Sequence, residues 1–128
     1  MSLRAPLAKA LNHGSAHAGV HHWVVQRFSA LALAPLSIWL VYQLLSLPDS
    51  DYHTVVGWVG NGWNPVLLSL LIVLAAWHAW LGLSIVIEDY VHTYLSKTLL
   101  LLLSAFLNGL IAASGVYAVL RIAIRSLR

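Results

Sequence analysis

The chain has 128 residues, of which 60% are hydrophobic and 9% charged, and its mean hydropathy is +0.81. A soluble domain carries about 25% charged residues, so water is not the main solvent of this chain. Seven Lys and Arg against four Asp and Glu leave a formal charge of +3, but the basic residues stand at chain ends and segment boundaries rather than in a patch interleaved with aromatics, which argues against nucleic acid. With no cysteine, the chain forms no disulfide and holds no thiolate-bound iron–sulfur cluster of its own.

Residues 1–22 are polar, small and His-rich, with Arg4 and Lys9 but no apolar core segment before Trp23. They read as a soluble tail rather than a cleaved signal peptide. The next formal charge after Arg27 is Asp49, and the interval is rich in Leu, Ala and Trp. It predicts a first crossing at about 24–47, because a hydrocarbon core of ~30 Å needs ~20 residues of helix. No formal charge occurs from Tyr52 to Ile87, although Trp58-Val59-Gly60-Asn61-Gly62-Trp63-Asn64-Pro65 interrupts the run with turn residues. The second crossing is then 65–87, with Pro65 at the first helical position. A third, 98–120, lies between Lys97 and Arg121. In lipid each crossing must be a helix, since every backbone group has to be satisfied internally. The fold class is an all-α membrane protein of three transmembrane helices in a single domain spanning 1–128.

Arg4, Lys9 and Arg27 favour an N-terminus on the cytoplasmic or matrix side, and the loop after the first span carries Asp49 and Asp51 but no Lys or Arg. Three crossings put Arg121, Arg125 and Arg128 on the opposite side, which works against that assignment. They also bring the start of the first helix, the end of the second and the start of the third to one membrane face. Arg27, Asp89, Tyr90 and Lys97 are therefore expected at one level. On the third helix Ala105, Gly109 and Ala113 recur every four residues, a stripe suited to close helix packing, and Asn108 is expected to make an interhelical hydrogen bond.

His78 is the one histidine inside an expected span. An ionisable group at that depth is costly and marks either a polar link to a neighbouring helix or a site. Ala75, Ala79 and Gly82 lie beside it at i−3, i+1 and i+4, a low surface on which a flat macrocycle fits, and a buried imidazole is a normal axial ligand for haem iron. A six-coordinate haem would need its second histidine from another chain, so the sequence points to a subunit. Eleven residues on, at 100° per residue, Asp89 returns to within about 20° of His78, roughly 16 Å along the same face. Asp89 and Tyr90, at the headgroup level, are either an interfacial acid and aromatic or the hydrogen-bond donor and proton-organising group that a quinone head needs. Arg27 is either a snorkelled anchor or a partner for a haem propionate.

The motif His78-Ala79-Trp80-Leu81-Gly82 followed by Ile87-Glu88-Asp89-Tyr90-Val91-His92 closely resembles the signature of the D-type hydrophobic anchor subunits of succinate dehydrogenase, respiratory complex II. Gly19-Val20-His21 and Gln26-Arg27-Phe28-Ser29-Ala30 extend the resemblance over nearly the whole chain, the second-helix motif being its specific part. The resemblance implies half of a heterodimeric haem-binding anchor bundle in a bacterial or mitochondrial inner membrane. In it His78 would be one axial ligand of haem b, its counterpart coming from a C-type cytochrome b anchor subunit. Arg27 would approach the haem propionates, Tyr90 would donate to ubiquinone, and Asp89 would lie beside that site. Flavin and iron–sulfur clusters would belong to a flavoprotein and an iron–sulfur subunit, which pass electrons from succinate to quinone. Gln26 stands where the corresponding C-type motif has histidine, and the intact Glu-Asp-Tyr step favours the D type. Two other classes are a b-type cytochrome module using His78 and His92 for two haems, and a structural membrane protein without a chromophore.

Overall fold

The computed structural model describes residues 15–126, so most of the expected N-terminal tail, together with Arg128, lies outside the described residues. The described chain is helical: α1 Ser15–Leu45, α2 Tyr52–Gly60, α3 Asn64–Tyr90 and α4 Tyr94–Ser126. Three segments, Val20–Leu45, Asn64–Tyr90 and Tyr94–Ser126, are long and apolar enough to cross a membrane. Each long helix runs past at least one of the charges that bounded its expected span. A helix has no reason to end where the hydrocarbon does: Lys97, Arg121 and Arg125 are carried on α4, where long cationic side chains reach the headgroups. α1 likewise begins at Ser15, so His21 and His22 are helical instead of belonging to a tail.

Helix α3 is the middle of the bundle. It packs against α1 and against α4, while α1 and α4 do not touch each other. Few side chains are shielded by this packing; among the described residues the buried apolar ones are Pro65, Leu81, Ile87 and Val119, and the buried polar ones are Ser29, Ser84 and Ser104. That ratio suits a lipid solvent, in which helices gain nothing by hiding leucine and associate through small residues and polar links. The serines serve both ends. Ser84 donates to the Trp80 carbonyl and Ser104 to the Leu101 carbonyl, so no hydroxyl is stranded, and their small side chains let neighbouring backbones approach.

The packing stripe of α4 is not the one its sequence suggests. Gly109 faces open space, whereas a methyl at Gly115 would stand 3.0 Å from Ile72 Cγ2 of α3. Ala105 and Gly109 instead line one wall of an open cleft of about 350 Å³, opposite Trp77 and Trp80. Asn108 donates to the Ser104 carbonyl one turn back rather than to another helix. The four-residue period marks a face of α4, but the close approach to α3 is made at Gly115, against Ile72.

The segment read as a loop after the first span contains α2. Asp51 caps it, accepting from the backbone N–H groups of His53 and Thr54, and the turn that follows places Gly62 at φ +56°, a conformation open to glycine. Trp58 turns inward and stacks on Trp39 of α1, with ring centroids 6.1 Å apart, while Trp63 stays exposed. The Ser126 hydroxyl lies within hydrogen-bond distance of both the Gly60 carbonyl and the Ala123 carbonyl, which brings the end of α4 against the end of α2.

Two predictions follow from these contacts. Gly115→Ala crowds Ile72, a clash worth ~1–3 kcal/mol against a helix-propensity gain of ~0.5–1 kcal/mol; Gly109→Ala keeps only the gain. Thermal unfolding of the chain in micelles should therefore move in opposite directions for the two variants. The hydrogen bond from Thr54, followed by those of the backbone N–H groups, holds the Asp51 carboxyl below its ordinary value. A lowered folded value means that the cap contributes fully above the ordinary carboxylate range and is lost as pH falls through the lowered one. Amide exchange at His53 and Thr54 should accelerate there in the wild type and not in Asp51→Asn.

Candidate functional site

His78 lies near the middle of α3 and is half-buried against α1. One turn of α1 faces it. Gln26 and Ser29 are three residues apart and so share a face, and both reach the imidazole. Ser29 Oγ is 2.8 Å from His78 Nδ1, and Gln26 Nε2 is 3.4 Å from His78 Nε2. The Ser29 hydroxyl also donates to the Gln26 carbonyl at 2.9 Å. The opposite side of Gln26 Nε2 is bounded by Gly82, where a methyl would sit 3.4 Å away. Gln26 Oε1 is buried and has no hydrogen-bond partner.

The ring is a polar link between two helices, and the link uses one nitrogen firmly and the other weakly. The chemistry of this set fits a haem iron at Nε2: the nitrogen is contacted only at the long limit of a hydrogen bond, by an amide whose own oxygen is unpartnered. Among the described residues no three His, Asp or Glu side chains form a metal-binding group, and an axial haem ligand requires none.

The other expected site residues are not gathered around it. Gln26 and Ser29 lie opposite His78, and His21, His22 and Val25 border a cavity with Trp77, Trp80 and Leu81. Arg27 is therefore level with His78. Asp89 and Tyr90 stand eleven residues further along α3, roughly 16 Å away along the axis, so the expectation that Arg27 shares their level is not met. It failed because the first helix was started near Trp23, whereas α1 begins two turns earlier. Arg27 is exposed and its guanidinium lies 5.4 Å above the Trp23 ring, a cation–π contact that offsets part of the desolvation of a charge at this depth.

At the far end of α3, Asp89 is exposed and Tyr90 is 78% exposed. The helix closes there with the Val91 N–H donating to the Ile87 carbonyl, and Lys97 is half-buried at the beginning of α4. His92 lies past the helix end and is exposed, far from the mid-span position that a second haem in the same helix would need. Ser29 was missed by sequence reasoning as a chemical participant. Its signal was available, since a serine three residues after a glutamine in an apolar helix presents two polar groups to one face.

Comparison with known proteins identifies the family of the chain. Residues 1–116 match the family described as succinate dehydrogenase/fumarate reductase transmembrane subunit. The chain belongs to that family. It is 37% identical over 105 residues to the succinate dehydrogenase hydrophobic membrane anchor subunit of Rickettsia conorii, covering 80% of this chain and 83% of the relative. To the same subunit of Rickettsia felis it is 36% identical over 111 residues, 86% and 88% of the two chains. A succinate dehydrogenase membrane anchor subunit of Reclinomonas americana is 30% identical over 87 residues, 66% of this chain and 72% of that one. No solved structure matches. Family membership together with three apolar helices makes the chain a membrane anchor subunit of the succinate dehydrogenase kind.

Proposed function

We propose that this chain, a subunit without its own bond-making centre, holds one side of a haem b and part of a ubiquinone pocket, and tethers the succinate-oxidising subunits to a bacterial or mitochondrial inner membrane. The observation that carries the reading is His78: an imidazole at mid-span whose Nδ1 is engaged by Ser29 and whose Nε2 has only a long contact. The second axial ligand is assigned to a C-type cytochrome b anchor subunit. Bound haem supplies a one-electron store between the partner iron–sulfur subunit and quinone.

Every other role falls to this chain's own groups. Arg27, level with His78 and exposed, is long enough to reach a propionate without unwinding α1, and its planar fork suits a carboxylate. The Tyr90 phenol would donate to a quinone carbonyl oxygen, which gains electron density on reduction and so binds the donor more strongly then. Asp89 beside it would organise proton delivery from the headgroup region. Because Tyr90 is so exposed, the remaining walls of such a pocket belong to the partner subunits. The N-terminus is assigned to the cytoplasmic or matrix side, where the flavoprotein and iron–sulfur subunits would sit over the α3–α4 corner.

A dithionite-reduced minus ferricyanide-oxidised spectrum of the assembled complex should show a b-type α band that is lost or shifted in His78→Ala. A wild-type assembly with no band would remove the haem assignment. Tyr90→Phe should leave that band unchanged and lower succinate-to-quinone turnover roughly three- to tenfold, the worth of one hydrogen bond. Unchanged turnover in a fully assembled Tyr90→Phe complex would remove Tyr90 as the donor.

A further inference from the structure

The polar cluster on α1 does more than link two helices. Ser29 is buried, at 5% exposure, and its hydroxyl has one proton. With that proton on the Gln26 carbonyl, 2.9 Å away, Oγ faces His78 Nδ1 at 2.8 Å only as an acceptor. The imidazole proton is then on Nδ1. Of the two neutral tautomers this is the one with its lone pair on Nε2.

Gln26 is held in the opposite manner. Its amide nitrogen stands 3.4 Å from Nε2, and its buried oxygen has no partner. A buried carbonyl without a hydrogen bond is costly, so the conformation that covers Nε2 is the weakly held one, while the Ser29 contact is short.

We infer that Ser29 is the positioning residue of His78: its hydroxyl, anchored to the Gln26 carbonyl, accepts the Nδ1 proton and thereby presents Nε2 as the iron-binding atom, with the Gln26 amide a displaceable cap over it. The inference rests on His78 being a haem ligand. Metal-bound histidines ordinarily donate their second ring N–H to a carbonyl, carboxylate or water; here a serine interposes between ring and carbonyl. A neutral hydroxyl draws less on the Nδ1 proton than a carboxylate does. Removing the acceptor lowers the electron density that the ring offers to iron, which favours the reduced state.

The test is an optical redox titration of haem, with haem-to-protein ratio, on the assembled complex carrying Ser29→Ala, Ser29→Thr, Ser29→Cys or His78→Ala. Ser29→Ala should raise the midpoint potential and weaken haem retention on the order of tenfold, the usual consequence of losing a ligand's hydrogen-bond partner. Ser29→Thr keeps the hydroxyl and should restore both, a rescue that a mere space-filling role would not distinguish from alanine. Ser29→Cys, close in shape but a weak acceptor, should shift the potential in the same direction as alanine. It decides the matter if the alanine variant fails to assemble. Wild-type potential and haem content in Ser29→Ala, or in Ser29→Cys where alanine does not assemble, overturns the inference while leaving His78 as ligand. Haem unaffected by His78→Ala would instead overturn the reading beneath it.

Discussion

The arrangement depends on the hydrocarbon's intolerance of unpaired polar groups. An imidazole at mid-span must find partners inside the protein, and α1 provides them on one turn through Gln26 and Ser29. Among the described residues, the side-chain hydrogen bonds between α1 and α3 converge on this ring. Since leucine against leucine in lipid gives no net hydrophobic attraction, such a polar tie sets the register of α1 on α3. The same tie sets the height of Arg27 and leaves Asp89 and Tyr90 roughly 16 Å further along α3. Site and fold are therefore two descriptions of one contact.

What this contact does not provide is closure. α1 lies on one side of α3 and α4 on the other, and long stretches of all three carry exposed Leu, Ile, Val and Phe. The cleft beside Trp77 and Trp80 and the outward face of Ala105 and Gly109 belong to the same open architecture. A chain of this family, with so little buried among its own helices, is completed by lipid and by other subunits.

The number and kind of the membrane-crossing helices were legible because charge-free intervals in lipid admit one secondary structure. Helix ends were less so: charges mark where hydrocarbon stops, and α1 and α4 continue as helices beyond them. That error propagated into the site, since starting α1 near Trp23 moved Arg27 to the wrong depth. The position of His78 could be read from its solitude in an apolar run. Its partners could not, because which face of α1 meets α3 depends on a rotation that the nearly uniform hydrophobicity of α1 does not encode. The α4 stripe failed for the same reason: a period identifies a face without saying what lies against it. The α2 helix was hidden by its glycines, which read as turn formers, although Asp51 ahead of Thr54 is an ordinary capping pattern.

Helix α4 is 33 residues long, roughly 50 Å at 1.5 Å per residue, against a hydrocarbon thickness of ~30 Å. A helix with such a surplus meets a thinner or thicker bilayer by tilting, and the three residues that join Tyr90 to Tyr94 keep its first turn beside the end of α3.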